Sequence, residues 1–114
     1  MAYGFNNDKS KFDMQGVLVV GEQQTGYMDT NSSNMPSGGS IAQGGVNILY
    51  LNVNVPDGYT LVGVTNIYSG LPLAVTRWFV NGATQLLIEF TNCQNVTQSV
   101  GHDPVYYTPI FAMA

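Results

Sequence analysis

From Asn47 to Val55 the chain alternates with a period of two: Leu49, Leu51, Val53 and Val55 fall on one side of an extended strand, and Ile48, Tyr50, Asn52 and Asn54 fall on the other. The pattern predicts a strand with one core face and one mixed face. Ala83 to Asn92 repeats it, with Leu86, Ile88 and Phe90 pointing one way and Gln85, Leu87, Glu89 and Thr91 the other. Leu73 to Val80 precedes that run, and the Asn81-Gly82 pair between them is the strongest short-range hairpin signal in the chain. No segment carries apolar residues at i, i+3, i+4 and i+7 over a useful length, so the periodicity predicts no helix.

Turn chemistry divides the remaining sequence into further strands. In Pro56-Asp57-Gly58, proline presets φ for the first central position and Gly58 can take φ > 0. Tyr59 to Tyr68 then reads as a strand interrupted by Gly63, and Ser69-Gly70-Leu71-Pro72 turns the chain again. Upstream, Gln15 to Val20 is a short β-rich run closed by Gly21, and Gln23 to Thr30 is a weaker strand anchored by Tyr27 and Met28. Asn31 to Gly45 is rich in Ser, Gly and Asn and reads as a long surface loop, the place to expect variable contacts. Gln94 to Asp103 is a polar connection, and Pro104 to Ala112 is a strand containing Tyr106 and Tyr107. Val55-Pro56 and Asp103-Pro104 put proline at strand ends, where a missing N–H does little harm. About seven strands at this spacing predict an all-β fold: a single β-sandwich or jelly-roll-like domain over residues 14–114, with residues 1–13 as an N-terminal arm.

Charge narrows the function classes. Of 114 residues, 45% are hydrophobic and only 9% charged, against about 25% charged in ordinary soluble domains. Solubility rests on Asn, Gln, Ser, Thr and Gly, a composition suited to a protein that hides surface in an assembly. The net charge is −4, and Lys9, Lys11 and Arg77 are the only basic side chains. Nucleic-acid backbones bind through several Lys or Arg that release counterions, so a nucleic-acid partner is not expected, and anionic membranes are disfavoured on the same ground. The apolar run Val17 to Val20 is far shorter than the ~20 residues of a membrane helix, so no membrane insertion is expected. The polar N-terminal residues offer no secretory hydrophobic region, which predicts synthesis in a cytoplasm.

Few residues offer catalytic chemistry. His102, in Gly101-His102-Asp103-Pro104, reads as a loop histidine bonded to a neighbouring Asp or to backbone. No carboxylate pair lies at short spacing within one strong strand, and His102 with Asp103 would supply only two adjacent ligands that point apart on an extended chain. Cys93 is the single cysteine and reads as a small core residue, which leaves no intrachain disulfide. Gly38-Gly39 and Gly44-Gly45 match no phosphate-binding fingerprint. Asn31-Ser32-Ser33 and Asn95-Val96-Thr97 fit a glycosylation acceptor pattern that is common by chance, and both are discounted. The expectation is no enzyme, no cofactor and no metal. What remains is an inventory of Tyr, Trp and amide side chains suited to sugars or protein interfaces, with Trp78 as the expected core anchor and Arg77 expected over a ring on the outer face.

Two stretches carry a resemblance. The opening MAYGFNNDKSKFD resembles a short N-terminal signature of small virion proteins in tailed bacteriophages and prophages of gut Firmicutes. VPDGYTLVGVTNIYSG, followed by VTRWFVNGATQLLIEFTN, resembles the terminal β-sandwich domain of phage tail-fibre and minor structural proteins. The likeness covers roughly residues 1–13 and 46–112. It implies a virion structural protein (fibre, appendage or capsid decoration) that is made in the bacterial host cytoplasm and assembles as a homotrimer, with other virion proteins and host surface glycan as partners. It transfers no catalytic residues. The chain departs from a long fibre in lacking a heptad stalk, repeats and a shaft, so a small accessory protein fits its length better. Expected assembly contacts in the arm are Tyr3, Phe5, Lys9, Lys11 and Phe12; expected surface contacts are Tyr50, Asn52, Asn54, Tyr68, Leu87 and Tyr106. The alternative reading is a carbohydrate-binding module without catalytic activity.

Overall fold

A computed structural model describes residues 17–29 and 39–114 of the chain. Within them it is all-β: β1 (Leu18–Val20), β2 (Gln24–Asp29), β3 (Ser40–Ile41), β4 (Val46–Asn52), β5 (Tyr59–Ser69), β6 (Ala74–Asn81), β7 (Gln85–Thr91), β8 (Gln98–Ser99) and β9 (His102–Met113). Seven of these are three residues or longer, as the sequence pattern predicts, and all pairings are antiparallel. One sheet is built on β9, with β5 along one side and β1 and β2 in succession along the other. A second sheet has the order β4-β7-β6, and β3 pairs with β8. The N-terminal arm lies outside the described residues, as do residues 31–38 of the expected long loop.

The two main sheets form a sandwich whose core follows the alternation. Leu49, Leu51 and Val53 are buried, and so are Leu86, Ile88 and Phe90 of β7. From the β9 sheet come Met28, Leu61, Val64, Val105, Tyr107 and Phe111. Each fully buried large side chain of this kind contributes about 1.5–3 kcal/mol relative to exposure. Between the sheets Leu51 lies so close to Gly26 that a Cβ there would sit 2.1 Å from Leu51 Cδ2. Gln24 adds a polar clasp: its amide nitrogen donates to Asn54 O at 3.0 Å, its oxygen accepts from Asn54 N at 3.1 Å, and Tyr107 Oη donates to that oxygen at 3.2 Å.

Several details depart from the sequence expectation. Pro56 occupies the first corner of its turn, because Tyr59 N donates to Pro56 O, leaving Asp57 and Gly58 as the central pair; Gly58 takes φ +83°. The β6–β7 hairpin closes on Asn81 paired with Gln85, with Gly82 at φ +72° opening a three-residue loop. The segment assigned to loop contains β3, whose Ile41 is buried, and the polar connection contains its partner β8. Strand β9 starts at His102, so Pro104 and Pro109 lie inside it. The carbonyl of Pro109 accepts from Gly21 N at 2.8 Å, so the proline nitrogen faces the break between β1 and β2. Pro104 accepts from Gly70 N at 2.9 Å and faces β5 just beyond its end. Each missing donor falls where a neighbouring strand has stopped.

Asn92 organises the β3–β8 end. It is fully buried, and its amide nitrogen donates to the carbonyls of Ile41 and Val96, both at 2.8 Å. Its side-chain oxygen accepts from Gln94 N at 2.9 Å. Its backbone exchanges bonds with Gly44 and Gly45. The in-out alternation of β7 therefore runs one residue past the strand, through Leu86, Ile88, Phe90 and Asn92.

Candidate functional site

Register decides which side chains share a surface. On the outer face of the β9 sheet, β9 contributes His102, Pro104, Tyr106, Thr108, Ile110 and Ala112 in line. β2 places Asp29 beside His102, Tyr27 beside Pro104 and Thr25 beside Tyr106. β1 places Val20 beside Ile110 and Leu18 beside Ala112. On the other flank β5 places Thr65 beside Thr108 and Tyr68 beside Tyr106. One end of this face is aliphatic, with Leu18 62% and Val20 63% exposed. The opposite end is aromatic.

Tyr68 reaches that face through a β-bulge. Between the pairs Thr65↔Thr108 and Tyr68↔Tyr106 the strand β5 advances three residues while β9 advances two. The extra residue is accommodated at Asn66, the only non-glycine with positive φ among the described residues, at 52°. Left-handed backbone suits Asn better than most side chains, and the inserted residue reverses the strand's phase. Ile67 packs toward the core and Tyr68 turns outward, 53% exposed, its ring 5.0 Å from that of Tyr106.

His102 has a partner that sequence proximity did not suggest. Its Nδ1 is hydrogen-bonded to Asp29 on β2, while the adjacent Asp103 accepts from Gly101 N at 2.9 Å. The imidazole is stacked flat on Tyr27, with centroids 4.1 Å apart and planes 7° from parallel. The expectation of a loop histidine is thus corrected: it opens a strand and is oriented by two β2 residues. The pair stands in solvent, with side-chain exposures of 67% for His102 and 34% for Asp29. A general base gains its advantage in a shielded site beside the proton it takes, and neither immediate neighbour of this imidazole is an activated nucleophile. Among the described residues no three His, Cys, Asp or Glu side chains come together as a metal site.

The outer face of the second sheet carries four cross-strand rows: Asn52–Gln85–Asn81, Tyr50–Leu87–Phe79, Ile48–Glu89–Arg77 and Val46–Thr91–Ala74. Arg77 Nε donates to Glu89 at 3.0 Å and its guanidinium lies 5.4 Å from the Phe79 ring centroid, as expected of an arginine over a ring. Leu87 was expected to be an exposed contact and is not: it is 7% exposed, because β7 is the central strand and Tyr50 and Phe79 flank it on both sides. Tyr50, Asn52 and Asn54 are exposed, although the backbone of Asn54 is held by Gln24.

The six expected surface residues therefore divide between two sheets. Tyr68 and Tyr106 meet on the β9 sheet; Tyr50, Asn52 and Leu87 belong to the other, with Asn54 just past β4. Tyr3, Phe5, Lys9, Lys11 and Phe12 lie outside the described residues. Two further expectations are corrected. Trp78 sits on β6, which among the described residues pairs with β7 alone, and is 41% exposed, its ring resting against Gly63 rather than filling the core. Cys93 is exposed, since Asn92 takes the inward position before it. Asp29 and Tyr27 were missed as partners of His102 because strand pairing, not spacing, unites residues 73 apart.

No protein-family model, no curated protein and no solved structure matches this chain.

Proposed function

We propose that this chain is a non-catalytic structural protein of a phage virion, assembling as a homo-oligomer through the aliphatic end of the β9 sheet's outer face. One observation carries the assembly reading: where β1 pairs with β9, the sheet is apolar on both faces. There its inner face is the domain core, and its outer face presents Leu18 and Val20 to solvent beside Ala112 and Ile110. Strands apolar on both sides are characteristic of sheets covered on both sides, and a second copy of the chain supplies that cover. The virion setting and three-fold symmetry rest on the resemblance of the N-terminal signature and the central strands; closed cyclic symmetry is the general rule for homo-oligomers.

Light scattering and sedimentation of the purified chain test the proposal. The expected result is a homotrimer of the 12.3-kDa chain that Leu18→Asp with Val20→Asp dissociates, and co-purification of the native protein with phage particles. A strict monomer at high concentration that has no affinity for the particles overturns it.

A further inference from the structure

We infer that the aromatic end of the β9 sheet's outer face, formed by Tyr27, His102, Tyr106 and Tyr68 with Asp29, is a binding site for a neutral oligosaccharide. A sugar ring offers flat C–H faces and a rim of hydroxyls, so its receptor needs exposed aromatic faces beside hydrogen-bonding groups. This surface places both within a few residues. Tyr68 and Tyr106 lie side by side at one end, and Tyr27 stacked on His102 lies at the other, with Pro104 between them on β9. The four-residue span from His102 to Tyr106 covers about 13–14 Å of strand, longer than one sugar ring, so the ligand is an oligosaccharide.

The polar groups match hydroxyls. Asp29 engages Nδ1 of His102, which leaves Nε2 as the imidazole atom available to a ligand, and the second Asp29 oxygen can accept from a sugar hydroxyl. Thr25, Thr65 and Thr108 add hydroxyls beside the tyrosines. Charge selects the ligand class. Among the described residues the sole Lys or Arg is Arg77, which lies on the other sheet and is engaged by Glu89. A carboxylate with no Lys or Arg among the described residues of its own face disfavours uronic and sialic acids and leaves neutral sugars.

The backbone supplies an independent reason to regard this as a built surface. The bulge at Asn66 holds a non-glycine residue in left-handed backbone, and its effect is to bring Tyr68 from the core side onto the face of Tyr106. An in-phase strand would have buried that ring and left the face without it. Bulges recur where a side chain must be re-aimed at a site.

The test is an array of neutral and acidic oligosaccharides probed with the full chain, followed by calorimetry on the glycans bound. Neutral oligosaccharides are expected to bind, with affinity falling at least tenfold in Tyr68→Ala and in Asp29→Asn. Tyr68→Trp keeps a flat ring and retains binding, and Tyr50→Ala, on the opposite sheet, leaves it unchanged. Thermal melts and light scattering of each variant separate loss of the site from loss of fold or assembly. Failure of the wild type to bind any neutral glycan at millimolar concentration overturns the inference, as does selection of acidic glycans alone, capture of a protein instead, or unchanged affinity in Tyr68→Ala and Asp29→Asn. An oligomer that binds no glycan sinks this inference while leaving the assembly proposal standing; a glycan-binding monomer without particle affinity does the reverse.

Discussion

Removal of the Asn92 side chain is expected to be among the most destabilising polar substitutions in the domain. Its amide makes three hydrogen bonds, to Ile41 O, to Val96 O and from Gln94 N, and the residue is wholly buried. A hydrogen bond contributes about 0.5–1.5 kcal/mol net, and a buried group stranded without its partner costs about 1–3 kcal/mol. The groups at Val96 and Gln94 lie in an exposed loop and can turn to water, whereas Ile41 O is inside. Asn92→Ala should therefore cost about 2–4 kcal/mol, lowering the melting midpoint by roughly 10–20 °C for a domain of this size. Urea unfolding followed by Trp78 fluorescence measures it, with an unchanged denaturant slope showing that the native fold persists. Asn92→Asp sharpens the test, because a carboxylate can still accept from Gln94 N yet opposes two carbonyl oxygens. Burial and those carbonyls raise the introduced carboxyl's pKa in the folded state above its unfolded value. Its stabilising protonated form is complete below the unfolded pKa and is lost as pH rises through the folded one, so this variant should be at least as unstable as Asn92→Ala at neutral pH and recover on acidification. A loss below about 0.5 kcal/mol in Asn92→Ala would show that the β3–β8 end does not depend on this amide.

Other consequences are equally direct. Gly26→Ala drives a methyl into Leu51, so it should cost about 1–3 kcal/mol by overpacking, and chemical unfolding of the pair with Leu51→Ala should show favourable coupling between the two changes. Burial raises the Tyr107 phenol above its ordinary value of 10.0. Because the folded state favours the neutral phenol, its contribution to stability is full below pH ~10 and is lost as pH rises through the higher folded value; a late phase in the phenolate absorbance titration, absent in Tyr107→Phe, checks this. Cys93 is exposed, so a thiol reagent should label it stoichiometrically without denaturant, at the rate seen in urea within a few-fold.

What was legible in the sequence depended on how local the cause was. The alternation of Leu49, Leu51 and Val53 and of Leu86, Ile88 and Phe90 revealed the core faces because a strand's period is fixed by its own backbone. The turns at Gly58 and Gly82 were readable from backbone freedom, although the residue counts of the loops were not. Leu87 reads as a surface contact in the sequence, yet exposure of an outward residue depends on whether its strand is central, which only sheet order decides. For Trp78 the converse holds, since size favours burial but among the described residues β6 has a paired neighbour on one side only. The same alternation, carried one residue further, would have placed Asn92 inside and Cys93 outside. No local signal joins Asp29 to His102 or distinguishes the Asn66 bulge from an ordinary strand, so the aromatic end of the face emerges only from the register.

The arrangement of strands around β9 also orders events in time. β1, β2 and β5 each pair with β9 and none with another of the three, so on a growing chain all three wait for residues 102–113 before any ladder of that sheet can form. The hairpin of β6 and β7 needs only nearby residues and is free to close first. Its exposed apolar residues then face a delay during which the partner sheet does not exist. A released chain truncated before His102 should consequently show the hairpin without the sandwich, and the interval before β9 is present is when this protein is most vulnerable to misassembly.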